Sequence, residues 1–186
     1  MEINYSDKIT IYIYENIEQT GWDRVGGRAY PKTNTVETIY NEEKKSIGIR
    51  GASAHEIVHV IISNLFGSCK FQLLAEGIAV AMDGLWNHPT LGLKEVDEIT
   101  LYYDELDKIP SLDKINDYFD EFESSFSYPL SGSFILFLLE KYGPEKFKKL
   151  YSQDADKDLE DSINLAYSTT LDRLKNEWIN HCRNNL

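Results

Sequence analysis

The sequence predicts an α+β protein, in which a small mixed sheet near the N-terminus is followed by a mainly helical region. The first third of the chain contains short segments in which β-branched and aromatic residues alternate with polar ones. From about Ala52 onward, apolar residues recur with helical spacing instead. With 186 residues, the chain is long enough for one domain with its own hydrophobic core.

Three short strands account for the predicted sheet. Residues 8–14 and 35–40 show the alternating pattern, and residues 46–49 are a candidate third strand. Two glycines and a proline within residues 26–31 predict a turn between the first two strands. A small sheet followed by helices is typical of the α+β class.

Apolar periodicity predicts that the rest of the chain is helical. The predicted helices cover residues 52–66, 71–82, 94–106, 130–142 and 145–151, and a last amphipathic helix starts at residue 171. Gly67, Gly84 and Gly143 follow apolar stretches, at positions typical of helix C-termini.

Composition excludes several classes of protein. The net charge is −12, with 31 acidic and 19 basic residues, so we expect no nucleic-acid partner, which would require a basic face. No apolar run approaches the length of a membrane span, and we expect no membrane association. The N-terminus lacks a secretory signal pattern, which predicts a cytoplasmic protein unless an export signal has been removed. Cys69 and Cys182 are too few for a disulfide framework and are expected to be free thiols.

A metal-binding pattern, HEIVH, occurs at residues 55–59 in the first predicted helix. Residues four apart lie on one helical face, so the imidazoles of His55 and His59 can reach one ion. Glu56 is turned by about 100° from His55 and can hold a water on the ion without binding the ion itself. This is the HExxH pattern of two zinc ligands and a general base.

His55, Glu56 and His59 are the only ionisable residues within residues 52–66. Burial of these side chains without a partner would be costly. The alternative is a partly exposed helix with chance histidines.

The same burial argument selects Glu76, the only charged residue within residues 71–82. A short connecting loop allows the two helices to meet as a hairpin. Two histidines and a glutamate make the three-ligand arrangement of catalytic zinc, with one position left open. We therefore predict one zinc ion per chain, bound by His55, His59 and Glu76. The alternatives are a buried glutamate with another partner and a fourth ligand at Cys69.

With both motifs in place, the chain resembles the gluzincin metallopeptidases, the peptidase-MA-like group that includes thermolysin-like and aminopeptidase-like catalytic domains. HEIVH is similar to their zinc helix, and LLAEGIA, at residues 73–79, is similar to the segment that supplies their third ligand. Weaker similarity at residues 130–143 and 171–178 extends the resemblance over about residues 25–182.

The resemblance implies a fold and an activity. The fold is zincin-like, in a single catalytic domain over residues 1–186, with the sheet and zinc-binding helices in residues 1–84 and a helical lobe in residues 85–186. The activity is hydrolysis of peptide bonds through a metal-activated water. Glu56 would take the proton of this water and later deliver it to the leaving amine.

Two further residues receive roles through the resemblance alone. Asp83 occupies the offset at which aminopeptidase-like members carry an acidic residue that orients a zinc-bound histidine. Otherwise it would be a solvent-facing residue at the end of its helix. Tyr128, just before the helix predicted at residue 130, is in about the right place for the oxyanion donor. The alternatives for this role are Tyr102, Tyr103, Tyr118 and His88, the last being otherwise expected to be an ordinary surface or packing histidine.

The resemblance also concerns substrate binding. Residues 35–40 would be the edge strand that pairs with the substrate backbone. The preceding residues 26–30 lack the glutamate with which aminopeptidases hold the free amine of the substrate, which favours an endopeptidase. Two alternatives stay open: a catalytically idle zincin-fold module that binds metal or protein, and a zinc hydrolase of non-peptide substrates.

Residues 93–124 form an acidic segment, with eleven acidic and three basic residues. The simplest interpretation is a solvated helix face. In the wall of a cleft, the same charge would favour basic peptide or protein substrates.

Overall fold

A computed structural model describes the chain over residues 4–22, 26–42, 48–84, 88–153 and 156–185. Contacts divide the chain into two compact units, which comprise residues 2–67 and residues 68–186. We call the first the sheet unit and the second the helical unit.

The sheet unit contains a three-stranded sheet and one long helix within the residues that the structure describes. Its elements are β1 (Thr10–Tyr14), β2 (Gly27–Tyr30), β3 (Thr35–Ile39) and α1 (Gly48–Phe66). β1 runs parallel to β3, and β2 runs antiparallel to β3 on its other side. α1 packs against β2 and β3, and the fully buried Val36 and Val60 belong to this small core. The predicted mixed sheet is therefore confirmed.

Two expectations about this sheet are wrong. Residues 26–31 do not form a simple turn, because β2 lies within them and is hydrogen-bonded to β3. Cross-strand pairing here outweighs the weak strand propensity of glycine. Residues 35–40 do not form an edge strand, because β3 lies between β1 and β2. Among the strands that the structure describes, β1 and β2 are the edges of the sheet.

The prediction of a strand at residues 46–49 is wrong for residues 48 and 49, which the structure describes. Gly48 and Ile49 begin α1, and residues 46–47 lie outside the described residues. Short apolar runs do not distinguish a strand from the first turn of a buried helix. α1 therefore starts at Gly48 instead of residue 52, and it ends at Phe66 as expected.

The helical unit is organised around one buried helix. Its helices are α2 (Gln72–Asp83), α3 (Val96–Glu105), α4 (Leu112–Asp117), α5 (Ser124–Tyr142), α6 (Pro144–Tyr151), α7 (Leu159–Tyr167) and α8 (Leu171–Asn185). α5 contacts α2, α3, α6 and α8, and its Phe134 is fully buried. Trp178 of α8 packs edge-on against this ring, at a centroid distance of 5.5 Å. None of the helices in the described ranges is long and apolar enough to cross a membrane.

Some helix boundaries differ from the sequence prediction. α5 begins at Ser124 rather than at residue 130, so that Tyr128 and Pro129 lie inside it. Pro129 is the sixth residue of α5, beyond the first turn, so it removes one backbone hydrogen bond of the helix. α4 and α7 were not among the predicted helices. α2 ends as predicted at Gly84, whose φ of 64° is the left-handed conformation typical of a helix C-cap.

Two glycines allow α2 and α5 to approach closely. A Cβ on Gly77 of α2 would lie 2.7 Å from the carbonyl oxygen of Ser131. A Cβ on Gly132 of α5 would lie 2.5 Å from Cγ1 of Val80. The two backbones therefore meet at glycines from both sides. This contact determines how closely α2, the helix that carries Glu76, packs against α5.

Candidate metal centre

The HExxH pattern lies on α1 of the sheet unit. His55 and His59 are one helical turn apart, and their Nε2 atoms are 3.1 Å apart. Their rings meet edge to face at a centroid distance of 4.8 Å. Two nitrogens bound tetrahedrally to one zinc ion lie about 3.3 Å apart, given Zn–N distances of about 2.0–2.1 Å. The observed separation therefore fits two ligands of a single metal ion.

Glu76 provides a carboxylate for the same set. It lies on α2, half-buried among fully or largely buried apolar neighbours. Among the residues that the structure describes, His55, His59 and Glu76 each offer a ligand atom within 4.8 Å of the others. Two imidazole nitrogens and one carboxylate oxygen form a donor set suited to a divalent transition metal. These residues therefore fit a metal ion.

Glu56 is adjacent to His55 in sequence, but it is not a member of this group within the described chain. Its side chain is half-buried and lies against β2. A Cβ on Gly27 would be 2.8 Å from the Cγ of Glu56 and 3.0 Å from its Oε1. A carboxylate beside the ligands, but outside the ligand set, is suited to accepting a proton.

The family comparison agrees with this geometry. The family model described as the Peptidase MA superfamily matches residues 2–184. The chain belongs to the Peptidase MA superfamily. Neither a curated protein nor a solved structure matches the chain significantly. The gluzincin-type resemblance and the zincin-like α+β fold are thus confirmed.

Cys69 is not part of the ligand group of this Peptidase MA domain. Both cysteines are free thiols, as predicted. The Sγ of Cys69 lies 3.7 Å from the Phe71 carbonyl oxygen, to which it donates. Burial raises the pKa of Cys69 to about 11. In the absence of a metal ion the residue is therefore a protonated thiol at neutral pH.

Asp83 and Tyr128 occupy different helices of the Peptidase MA domain. Asp83 is the last residue of α2 and is half-buried. Tyr128 lies within α5 and packs edge-on against the ring of Phe119, with centroids 5.1 Å apart. The orienting role of Asp83 and the oxyanion role of Tyr128 stay predictions.

Two alternatives to Tyr128 already have local partners. His88 is buried, and its Nδ1 accepts hydrogen bonds from the backbone N–H groups of Thr90 and Leu91, at 3.3 and 3.1 Å. Its proton is therefore on Nε2, which lies 3.2 Å from the hydroxyl of Tyr103 and donates to it. His88 holds its own loop against α3, as expected for a packing histidine.

The helical unit also contains an acidic cleft of about 960 Å³. Phe71 and Leu171 are among its apolar lining residues. The carboxylates that line it are Asp113, Asp117, Asp158, Glu160 and Asp172. Asp158 caps α7, and Glu160 accepts a hydrogen bond from the backbone N–H of Leu171 at the start of α8. Hydrogen bonds at helix N-termini therefore account for the positions of these two carboxylates.

Sequence reasoning missed the role of Gly27, which it assigned to a turn. The structure places this residue in β2, directly against Glu56. No local sequence pattern predicts this contact, because it depends on how β2 and α1 pack. The available signal was a glycine beside an alternating segment, which is typical of a strand that another group approaches closely.

Proposed function

We propose that this protein is a zinc-dependent metallopeptidase that cleaves peptide bonds within chains. This proposal rests on one observation: the Nε2 atoms of His55 and His59 lie 3.1 Å apart and form one group with Glu76. The chain that carries this group is a member of the Peptidase MA superfamily. The mixed nitrogen and oxygen donor set favours zinc over magnesium or calcium, which prefer oxygen ligands alone. We propose one zinc ion per chain, with three protein ligands and one open position.

When bound, zinc lowers the pKa of a water molecule and polarises the carbonyl of the substrate. Glu56 holds the attacking water, accepts its proton and later delivers that proton to the leaving amine nitrogen. It can do so because it is turned by about 100° from His55 along α1. In this proposal, Tyr128 donates a hydrogen bond to the oxyanion, and Asp83 accepts the second N–H of a ligand histidine.

The position of β2 supports an extended substrate. β2 is an edge strand of the sheet and contacts Glu56 through Gly27. A peptide can add to such an edge through main-chain hydrogen bonds and extend to both sides of the cleaved bond. Residues 26–30 carry no carboxylate for a free amine, which again favours endopeptidase action.

Glu56→Gln provides the decisive test, because it keeps the shape of the side chain and removes the base. We expect the parent protein to cut a peptide library at internal bonds, as read by mass spectrometry. The variant should keep its zinc and lose at least about 100-fold in kcat. A zinc-loaded parent that cleaves no peptide would support the idle module or a non-peptide hydrolase. A variant with parental activity would exclude Glu56 as the base.

A further inference from the structure

Gly27 occupies a place in β2 where the backbone conformation does not require glycine. The glycines with positive φ in the described ranges are Gly21, Gly67, Gly84, Gly92 and Gly143. Gly27 is not among them, and it pairs with Thr38 of β3 in regular antiparallel register. Glycine in a strand is less favourable than alanine, because more conformational entropy is lost on folding. Its presence here therefore calls for another reason.

The space occupied by Glu56 supplies that reason. A Cβ on Gly27 would lie 2.8 Å from the Cγ of Glu56, 3.0 Å from its Oε1 and 3.2 Å from the carbonyl oxygen of Glu37. Real Cβ atoms essentially never show contacts under 3.0 Å. The Cγ atom is close to the backbone of α1, so it can move away only if the side chain changes its rotamer. Any side chain at position 27 would therefore displace the Glu56 carboxylate.

We propose that Gly27 is a positioning residue, whose missing side chain keeps the Glu56 carboxylate in the orientation needed for proton transfer. This inference rests on the proposed function, in which Glu56 is the general base. Proton transfer requires hydrogen-bond distance between the base and the water. A displacement of about 1 Å in such a site can lower the rate by about 100-fold.

The kinetic test compares Gly27→Ala with the parent protein, both loaded with zinc, on a peptide that the parent cleaves. We expect kcat to fall by about 10–100-fold, with little change in KM and an unchanged zinc content. Thr10→Ala is the control in the same sheet: Thr10 is an exposed residue of β1, and its substitution should keep the parental kcat. A parental kcat in Gly27→Ala, or a change confined to KM, would overturn the inference.

A second measurement does not depend on activity. Gly27→Ala should lower Tm by about 5 °C, because overpacking destabilises. In a Glu56→Ala background the two atoms nearest to the new methyl group are absent and only the 3.2 Å contact with the Glu37 carbonyl oxygen remains, so the same substitution should lower Tm by much less. Equal losses in both backgrounds would overturn the inference. A parent protein that cleaves no peptide would instead overturn the proposed function, and the Tm comparison distinguishes these two failures.

Discussion

His55 and His59 hold their rings in an arrangement that a shared cation would stabilise. Their Nε2 atoms, 3.1 Å apart, can share one proton as a hydrogen bond. A divalent cation instead accepts a lone pair from each nitrogen at once. Metal binding should therefore stabilise the folded protein, because the unfolded chain offers no preformed site.

The first prediction is that His59→Ala loses zinc. Loss of a residue that only orients a ligand weakens metal binding by about 10–100-fold, so loss of a ligand should cost at least about 100-fold. The measurement is metal content by mass spectrometry, with competition against a chelator of known affinity. His181→Ala is the control, since His181 packs against Phe137 in the helical unit. Full zinc occupancy in His59→Ala would place the site elsewhere.

The two candidate histidine ligands could be predicted from the sequence because helical periodicity alone places them on one face, whereas Glu76 lies on a different helix and stood out only as the one charged residue of an apolar segment. His55 and His59 share a face of any regular helix, and their spacing needs no tertiary information. The contact of Gly27 with Glu56 could not be predicted, because it depends on the packing of two separate elements. The same reason applies to Asp83 and Tyr128, whose proposed roles depend on tertiary neighbours.

Among the elements, those with strong local patterns were predicted best. The segments at residues 8–14 and 35–40 contain β1 and β3, and α2 ends at Gly84 as its pattern indicates. The central position of β3 could not be predicted, since strand order is set by pairing between distant segments. β2 was missed for the same reason: two glycines near its start resemble a turn until β3 supplies a partner.

The second prediction concerns the contact between α2 and α5. Gly77→Ala would gain about 1 kcal/mol from helix propensity alone. The new methyl group would lie 2.7 Å from both the Ser131 carbonyl oxygen and the Ile135 Cγ1. We therefore expect a net loss of about 1–3 kcal/mol in the free energy of unfolding, because the helices must separate.

Urea denaturation measures this loss. Asn164→Ala is the matched control, since it replaces an exposed residue within α7 and should be neutral or slightly stabilising. If Gly77→Ala proved as stable as the parent, the close approach of α2 and α5 would not be needed for stability.

For the whole molecule, the excess of negative charge is the property most relevant to substrate choice. The net charge is −12, and the acidic segment at residues 93–124 contributes Asp113 and Asp117 to the cleft of the helical unit. Five carboxylates and one lysine, Lys70, line this cleft, and such an excess of one charge around a concave surface raises the local concentration of oppositely charged ligands. Helix capping accounts for some of the cleft carboxylates but does not reduce this field.

The third prediction is therefore that peptides with Lys or Arg near the cleaved bond are preferred over matched acidic peptides, by about tenfold in kcat/KM at low salt. The preference should shrink with added salt, because the Debye length falls from about 10 Å at 0.1 M to about 3 Å at 1 M. Asp117→Asn should weaken the preference more than Glu145→Gln, which removes an exposed charge from α6, outside the acidic segment. Measurement of kcat/KM for both peptide classes at two salt concentrations decides between a steering role and a solvated face. Equal rates for the two classes, or a preference that does not change with salt, would leave residues 93–124 as a solvated surface.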